Sequence, residues 1–376
     1  MAQSSHERVV IDKNGDTLIT LTSRDDSFAI WDPLRDEFSS PKSSGNEWKS
    51  KRTLENERVL ANKVASEEDE SNATTETPEE ILETTIVYQV SSKHLETASG
   101  KFRSELTGPW SENVKGEDGL FHLTAENWDP DVFKILLNIL HLRNRQVPKS
   151  TNLDTLTKIA VLVDYYRCWE AVETWTTLWI DILKKKELVP TTYCGELILW
   201  MQIAWVFELD EEFEKTTAIA VRQSDTAVIR DMDLPIPPAI LDALELRRYQ
   251  VIDSIMSICH DWIPKFCDEY NCPEDSDSSF ACGSVLLGAL TRGMHRLGCL
   301  SPKPEIPFDG HSFHTISKAV KELPTPEWWS ETRSRYSNSH ECSLKDTVGP
   351  DIDAVVANIR GLNLCDFRDR AKELDQ

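Results

Sequence analysis

The sequence predicts an α+β N-terminal module followed by an all-α C-terminal region. The strand candidates, short runs with β-branched content, all fall in the part of the chain before residue 130. From Leu153 onward, apolar residues recur three or four apart, the spacing of amphipathic helices. No internal repeat period is visible, which removes solenoids and propellers.

Residues 9–31 predict two strands. Gly15–Ser23 (GDTLITLTS) follows an Asn14-Gly15 turn, and Phe28–Trp31 resumes the apolar pattern. Residues 32–80 lose this periodicity and turn to Pro, Ser, Lys, Asn, Glu and Thr. Val64–Glu83 holds acidic residues and no Lys or Arg. Such a segment cannot bury enough apolar surface to fold, so 32–80 reads as a disordered insertion inside the N-terminal domain. A sharper reading of its acidic run is a docking tail.

Ile81–Val90 predicts the next strand. Ser92 and Ser99 read as N-caps of two short helices, and Phe121–Leu123 as another strand. Asp129-Pro130 opens a helix, with Asp as the cap and Pro at the first helical position. Val132, Phe133, Leu136, Ile139 and Leu140 line its face. Further stripes are Leu153, Leu156, Ala160 and Val163, then Ala171, Trp175, Leu178, Trp179 and Ile182. Leu197–Leu209 is broadly apolar and predicts burial on several sides. Trp169, Trp175, Trp179, Trp200, Trp205 and Trp262 read as core, with a groove for a partner helix as the alternative. Lys184, Lys185 and Lys186 suit a helix C-terminus. After Pro235, Pro237 and Pro238, a long helix runs to Pro264. Asn271–Ser279 reads as an acidic loop and Ser301–Gly310 as a Pro-rich connector. Val285–Gly298, Phe313–Leu323 and Ile352–Leu362 predict the last helices.

The length of 376 residues suits two domains, placed at 1–185 and 186–376. A formal charge of −23 repels nucleic acid and anionic membrane surfaces, so neither is an expected partner. The N-terminus MAQSSHERVV has no apolar secretory core, and no run of 18 apolar residues occurs. With nine scattered cysteines, this predicts free thiols in a cytoplasmic or nuclear protein. No phosphate-binding loop, nucleophile elbow or H-E-x-x-H motif is present, so no catalytic residues are expected and the chain reads as a non-enzyme.

The ordered series of N-terminal segments resembles a BTB/POZ domain. Gly15–Leu21 resembles that family's opening strand, and Tyr88–Leu106 its strand-plus-two-helix centre. Phe121–His141 resembles the following strand and helix, and Thr155–Cys168 the helix where members commonly carry A-x-x-Y. The insertion at 32–80 departs from the family pattern, as does His141 where a Tyr is typical. Residues 185–376 lack kelch repeats, zinc-finger arrays and ion-channel patterns. Together with Leu234–Ile240 (LPIPPAI) and Pro304–Gly310, the architecture resembles fungal BTB proteins with an uncharacterised helical C-terminal region. The resemblance implies a protein–protein interaction module that can homodimerise and act as substrate adaptor for a cullin-type ubiquitin ligase. The alternative is a scaffold or oligomeriser, transcription-associated, with no ligase role.

Two sets of site residues follow. Trp110-Ser111-Glu112 lies where cullin-binding members carry a hydrophobic–x–Glu signature, which makes Trp110 and Glu112 the candidate partner-binding pair. The bland reading is a loop Trp covering its own core. Cys272, Cys282, His340 and Cys342 form a Cys3His set legal for structural zinc. Its spacing is unusual, and Cys282 opens an apolar run where cysteine commonly acts as a small buried hydrophobe.

Overall fold

The alternation of Thr17, Ile19, Leu21 and Ser23 inward with half-buried residues between them makes β2 (Thr17–Arg24) a strand with one core face. The computed structural model describes residues 7–24, 28–31, 83–324, 328 and 340–368. The predicted insertion at 32–80 lies outside the described residues. β3 (Glu83–Val90) buries Ile86, Tyr88 and Val90, and β4 (Phe121–Glu126) buries Leu123 and Ala125. With β1 (Glu7–Val10) they form a mixed sheet in the order β1-β3-β2-β4. β1 runs parallel to β3, β2 antiparallel to β3, and β2 parallel to β4. Ile19 faces Tyr88 on one side and Leu123 on the other, so the core face is in register across the three strands.

Phe28–Trp31 is not a strand. Ala29 sits in the left-handed region at φ 50°, which breaks the extension. Trp31 instead packs edge-on against Tyr193, ring centres 5.4 Å apart, with the Arg230 guanidinium 4.6 Å from its centre. An apolar run of four residues carries no period long enough to separate a strand from a docked loop.

α1 (Ser92–Ala98) and α2 (Gly100–Thr107) follow β3. Ser99 caps α2, its hydroxyl accepting from the Phe102 N–H at 3.1 Å. Ser92 is not a cap; it is the first helical residue of α1. The capping acceptor comes from the far strand turn. Asp16 takes the Ser92 N–H and the Ser92 hydroxyl, each at 2.8 Å. α3 (Pro130–Leu140) opens on Asp129, whose carboxylate accepts from the Asp131 and Val132 N–H groups. α4 (Leu153–Tyr166) starts on Asn152 and ends where Arg167 adopts φ 49°.

The C-terminal region is helical. α5 (Trp169–Lys186) buries Val172, Thr176, Trp179, Ile180 and Leu183. The predicted stripe was Ala171, Trp175, Leu178, Trp179 and Ile182, but Leu178 faces solvent. The buried face is rotated by about one residue because Trp179 anchors it, its indole N–H reaching the Pro148 carbonyl at 2.8 Å. α6 (Gly195–Val206) is buried on nearly every side, as its broadly apolar sequence predicts, and the burial takes in Gln202 as well. α7 (Asp210–Gln223), α8 (Pro238–Pro264), α9 (Ser279–Arg296), α10 (Phe313–Lys321), α11 (Leu344–Thr347) and α12 (Gly349–Asn358) complete the array. A π-helical turn, Lys265–Glu269, extends α8. No helix among the described residues is long and apolar enough to cross a membrane.

Two polar devices fasten this region. Arg248 of α8, 1% exposed, donates to the backbone carbonyls of Ser224 (3.0 Å), Pro307 (2.6 Å), Phe308 (2.9 Å) and His311 (2.7 Å). It thereby holds the Pro-rich connector onto the helices. The segment after α12 docks on α7: the Leu362 N–H donates to Thr217 Oγ1, and Arg222 and Arg247 bond the carbonyls of Ile359 and Gly361.

Candidate metal centre and partner-binding loop

A polar loop and a helix start bring the first two thiols together. Cys272 lies just after the π-helical turn, and its N–H donates to the Ser279 hydroxyl at 2.9 Å. The intervening chain is folded into a 3-10 turn by Asp275, whose carboxylate accepts from the Asp277 N–H and the Ser278 hydroxyl. This delivers Cys282 in the first turns of α9. Gly283 permits the approach, since a Cβ there would stand 3.0 Å from the Phe266 carbonyl and 3.2 Å from the Tyr270 ring.

His340 and Cys342 lie in the irregular segment just ahead of α11. The His340 N–H donates to the Trp328 carbonyl at 2.9 Å, and the two rings stack 4.3 Å apart. All four ligand atoms lie within 4.8 Å of one another. His340 Nε2 is 3.3 Å from Cys272 Sγ and 3.3 Å from Cys282 Sγ. Cys272 Sγ is 3.7 Å from Cys342 Sγ. The His340 side chain is 2% exposed. The sequence-predicted set is thus brought together in full, and it is the one His/Cys/Asp/Glu metal-type group among the described residues.

The chemistry of this donor set fits a soft or borderline cation. Three sulfurs and one imidazole nitrogen converge, and the group is largely closed to water. Burial pushes the Cys342 thiol up to about 12 and raises Cys282. A bound cation reverses that preference, because a coordinating thiol is deprotonated outright. Two further residues escaped the sequence reading. Glu274 Oε2 lies 3.2 Å from His340 Nδ1, and its Oε1 accepts from the Glu341 N–H at 3.2 Å. The Tyr270 hydroxyl lies 3.4 Å from Cys282 Sγ. Burial first, then this sulfur contact, raises the Tyr270 phenol. Neither has a spacing signature; only the meeting of two distant loops reveals them.

The other predicted pair stands apart on the N-terminal module. Trp110 follows α2 and is 60% exposed, and Val114 beyond it is 70% exposed. Between them Ser111–Asn113 forms a 3-10 turn, fixed by the Asn113 side chain donating to the Gly108 carbonyl at 3.1 Å. Glu112 accepts from the Ser111 hydroxyl at 2.9 Å. Its own N–H and that hydroxyl hold its carboxyl below the ordinary value. Trp110 therefore does not cover its own core.

The fold and site define an α+β protein whose helical C-terminal part carries a Cys3His group able to hold a metal ion. No protein-family model matches the chain, and no curated protein matches it either.

Proposed function

We propose that this chain works by contact rather than by bond chemistry, as a BTB/POZ-type interaction protein and substrate adaptor for a cullin-type ubiquitin ligase. Trp110 is the anchor and Glu112 the orienting charge, while the C-terminal helices take the client. The observation that carries this reading is the 60% exposure of Trp110 on an ordered turn beside Val114. A solvent-facing Trp next to a second apolar side chain is the composition of an interface hot spot. The sheet order, with α1 and α2 after β3 and the Asp-Pro helix after β4, supports the BTB reading.

In the C-terminal region Cys272, Cys282, His340 and Cys342 hold a structural zinc ion. A zinc ion held by these four residues would tie the loop before α9 and the first turns of α9 to the segment before α11. With four protein ligands the site would be of the structural rather than the catalytic kind.

The test uses purified full chain and a purified cullin N-terminal region in a direct binding assay. Binding that weakens at least about tenfold in Trp110→Ala, with an unchanged circular dichroism spectrum, supports the adaptor reading. Failure of the unaltered chain to bind any cullin overturns it. Self-association without cullin binding would favour a scaffold, a reading supported by β1, which among the described residues is an edge strand pairing with β3. Metal analysis giving one zinc per chain supports the second part, and metal-free protein of unchanged stability overturns it.

A further inference from the structure

We infer that Glu274 is the positioning residue of the metal centre, fixing the tautomer and ring orientation of His340 so that Nε2 faces the ion. This rests on the metal reading given above. An imidazole binds a metal through a bare nitrogen, so its proton must sit on the other one. Here Nε2 lies 3.3 Å from each of two sulfurs, and Nδ1 lies 3.2 Å from Glu274 Oε2, an ion-pair distance that sets the carboxylate on the side of the ring away from the thiols. The carboxylate holds the proton on Nδ1 and leaves the Nε2 lone pair for the ion.

Three features make this more than a surface ion pair. The His340 side chain is 2% exposed, so water does not compete for Nδ1. The Trp328 ring, 4.3 Å away, covers one face of the imidazole. The second oxygen of Glu274 accepts from the N–H of Glu341, the residue between the ligands His340 and Cys342. One carboxylate from the Cys272 loop therefore sets both the ring and the backbone of the opposing ligand segment. Outer partners of this kind typically change metal affinity by about 10–100-fold.

The experiment measures cobalt(II) and zinc(II) affinity of the full chain against a competing chelator. The variants are Glu274→Ala, Glu274→Gln, His340→Cys and the double variant Glu274→Ala/His340→Cys. The expected loss is about 10–100-fold for Glu274→Ala. Glu274→Gln should fall between, since its single amide oxygen can serve either Nδ1–H or the Glu341 N–H while its NH2 faces the other. In the His340→Cys background no imidazole remains to be oriented, so Glu274→Ala should then change affinity less than about threefold. Equal affinity of the unaltered chain and Glu274→Ala overturns the inference alone. So does an undiminished loss in the His340→Cys background, which would assign Glu274 to the Glu341 backbone only. An unaltered chain that takes up neither metal overturns the metal reading and this inference with it.

Discussion

Arg248 offers the sharpest test of how the C-terminal region is held. Replacement by Met keeps most of the apolar stem and removes the guanidinium. Four carbonyls, of Ser224, Pro307, Phe308 and His311, then lose a donor at 2.6–3.0 Å. Hydrogen bonds to a charged group contribute about 1.5–3 kcal/mol each before desolvation is counted. Burial opposes them, since it disfavours the cation and lowers the Arg248 pKa. Stranding buried carbonyls costs about 1–3 kcal/mol each, partly offset by relief of the cation's desolvation, so the net cost is about 3–5 kcal/mol. In a chain of this size, with about 2.1 cal/mol/K of unfolding entropy per residue, that corresponds to a drop in Tm of roughly 4–6 °C. Thermal unfolding at fixed zinc concentration measures it. Hydrogen exchange should show faster exchange in residues 304–311 before the rest of the chain responds. Arg248→Lys should fall between, because three donors on a point charge cannot reach four carbonyls fanned around a planar group. A Met variant within about 1 kcal/mol of the unaltered chain, or one with unchanged protection of 304–311, would refute the reasoning.

The other predictions concern separate parts of the chain. Asp16→Ala removes the acceptor at the start of α1 and should cost about 1–2 kcal/mol by chemical denaturation. Burial works against the Asp16 carboxylate, but the Ser92 N–H and hydroxyl outweigh it and hold the folded pKa below the ordinary value. Its contribution is therefore complete above about pH 4 and is lost as pH falls through the lower folded value, a loss Asp16→Ala should not show. Gly361→Ala places a Cβ 1.8 Å from the Glu214 carbonyl oxygen and should lift the segment after α12 from α7, read as early proteolytic cleavage there. If the ion binds as proposed, chelation from a zinc concentration near 1,000 times Kd should cost about 4 kcal/mol, and a melting curve indifferent to chelator would refute it.

Much of the fold was legible because its signals are local. The strand at Thr17, the Asp129-Pro130 helix start, the broadly apolar α6 and the long α8 each carry their evidence within their own stretch of chain. Where the reading slipped, a distant partner decided. Ser92 has the chemistry of a cap, yet Asp16, 76 positions away, supplies the acceptor and lets Ser92 enter the helix. The α5 stripe was rotated because Trp179 has a specific acceptor at Pro148, which no periodicity encodes. Phe28–Trp31 looked like a strand because aromatic and β-branched residues also suit a loop docked against Tyr193 and Arg230.

The metal centre shows the same division from the other side. Residue type alone sufficed to nominate Cys272, Cys282, His340 and Cys342, because thiols and imidazoles that serve as ligands are chemically distinctive. Their spacing argued against them, since it is read as if one loop had to supply both ligands of a pair. The structure shows why that rule does not bind here. A folded loop capped by Asp275 shortens the path from Cys272 to Cys282, so sequence separation overstates distance. Glu274 and Tyr270 could not be nominated in the same way. Carboxylates are abundant in a chain with 64 Asp and Glu, and what distinguishes Glu274 is only that His340 lies 3.2 Å from it. Ligands can thus be named from composition, whereas the groups that orient them are defined by tertiary contact. This is why the His340→Cys background, which deletes the contact and keeps a ligand, separates the two roles.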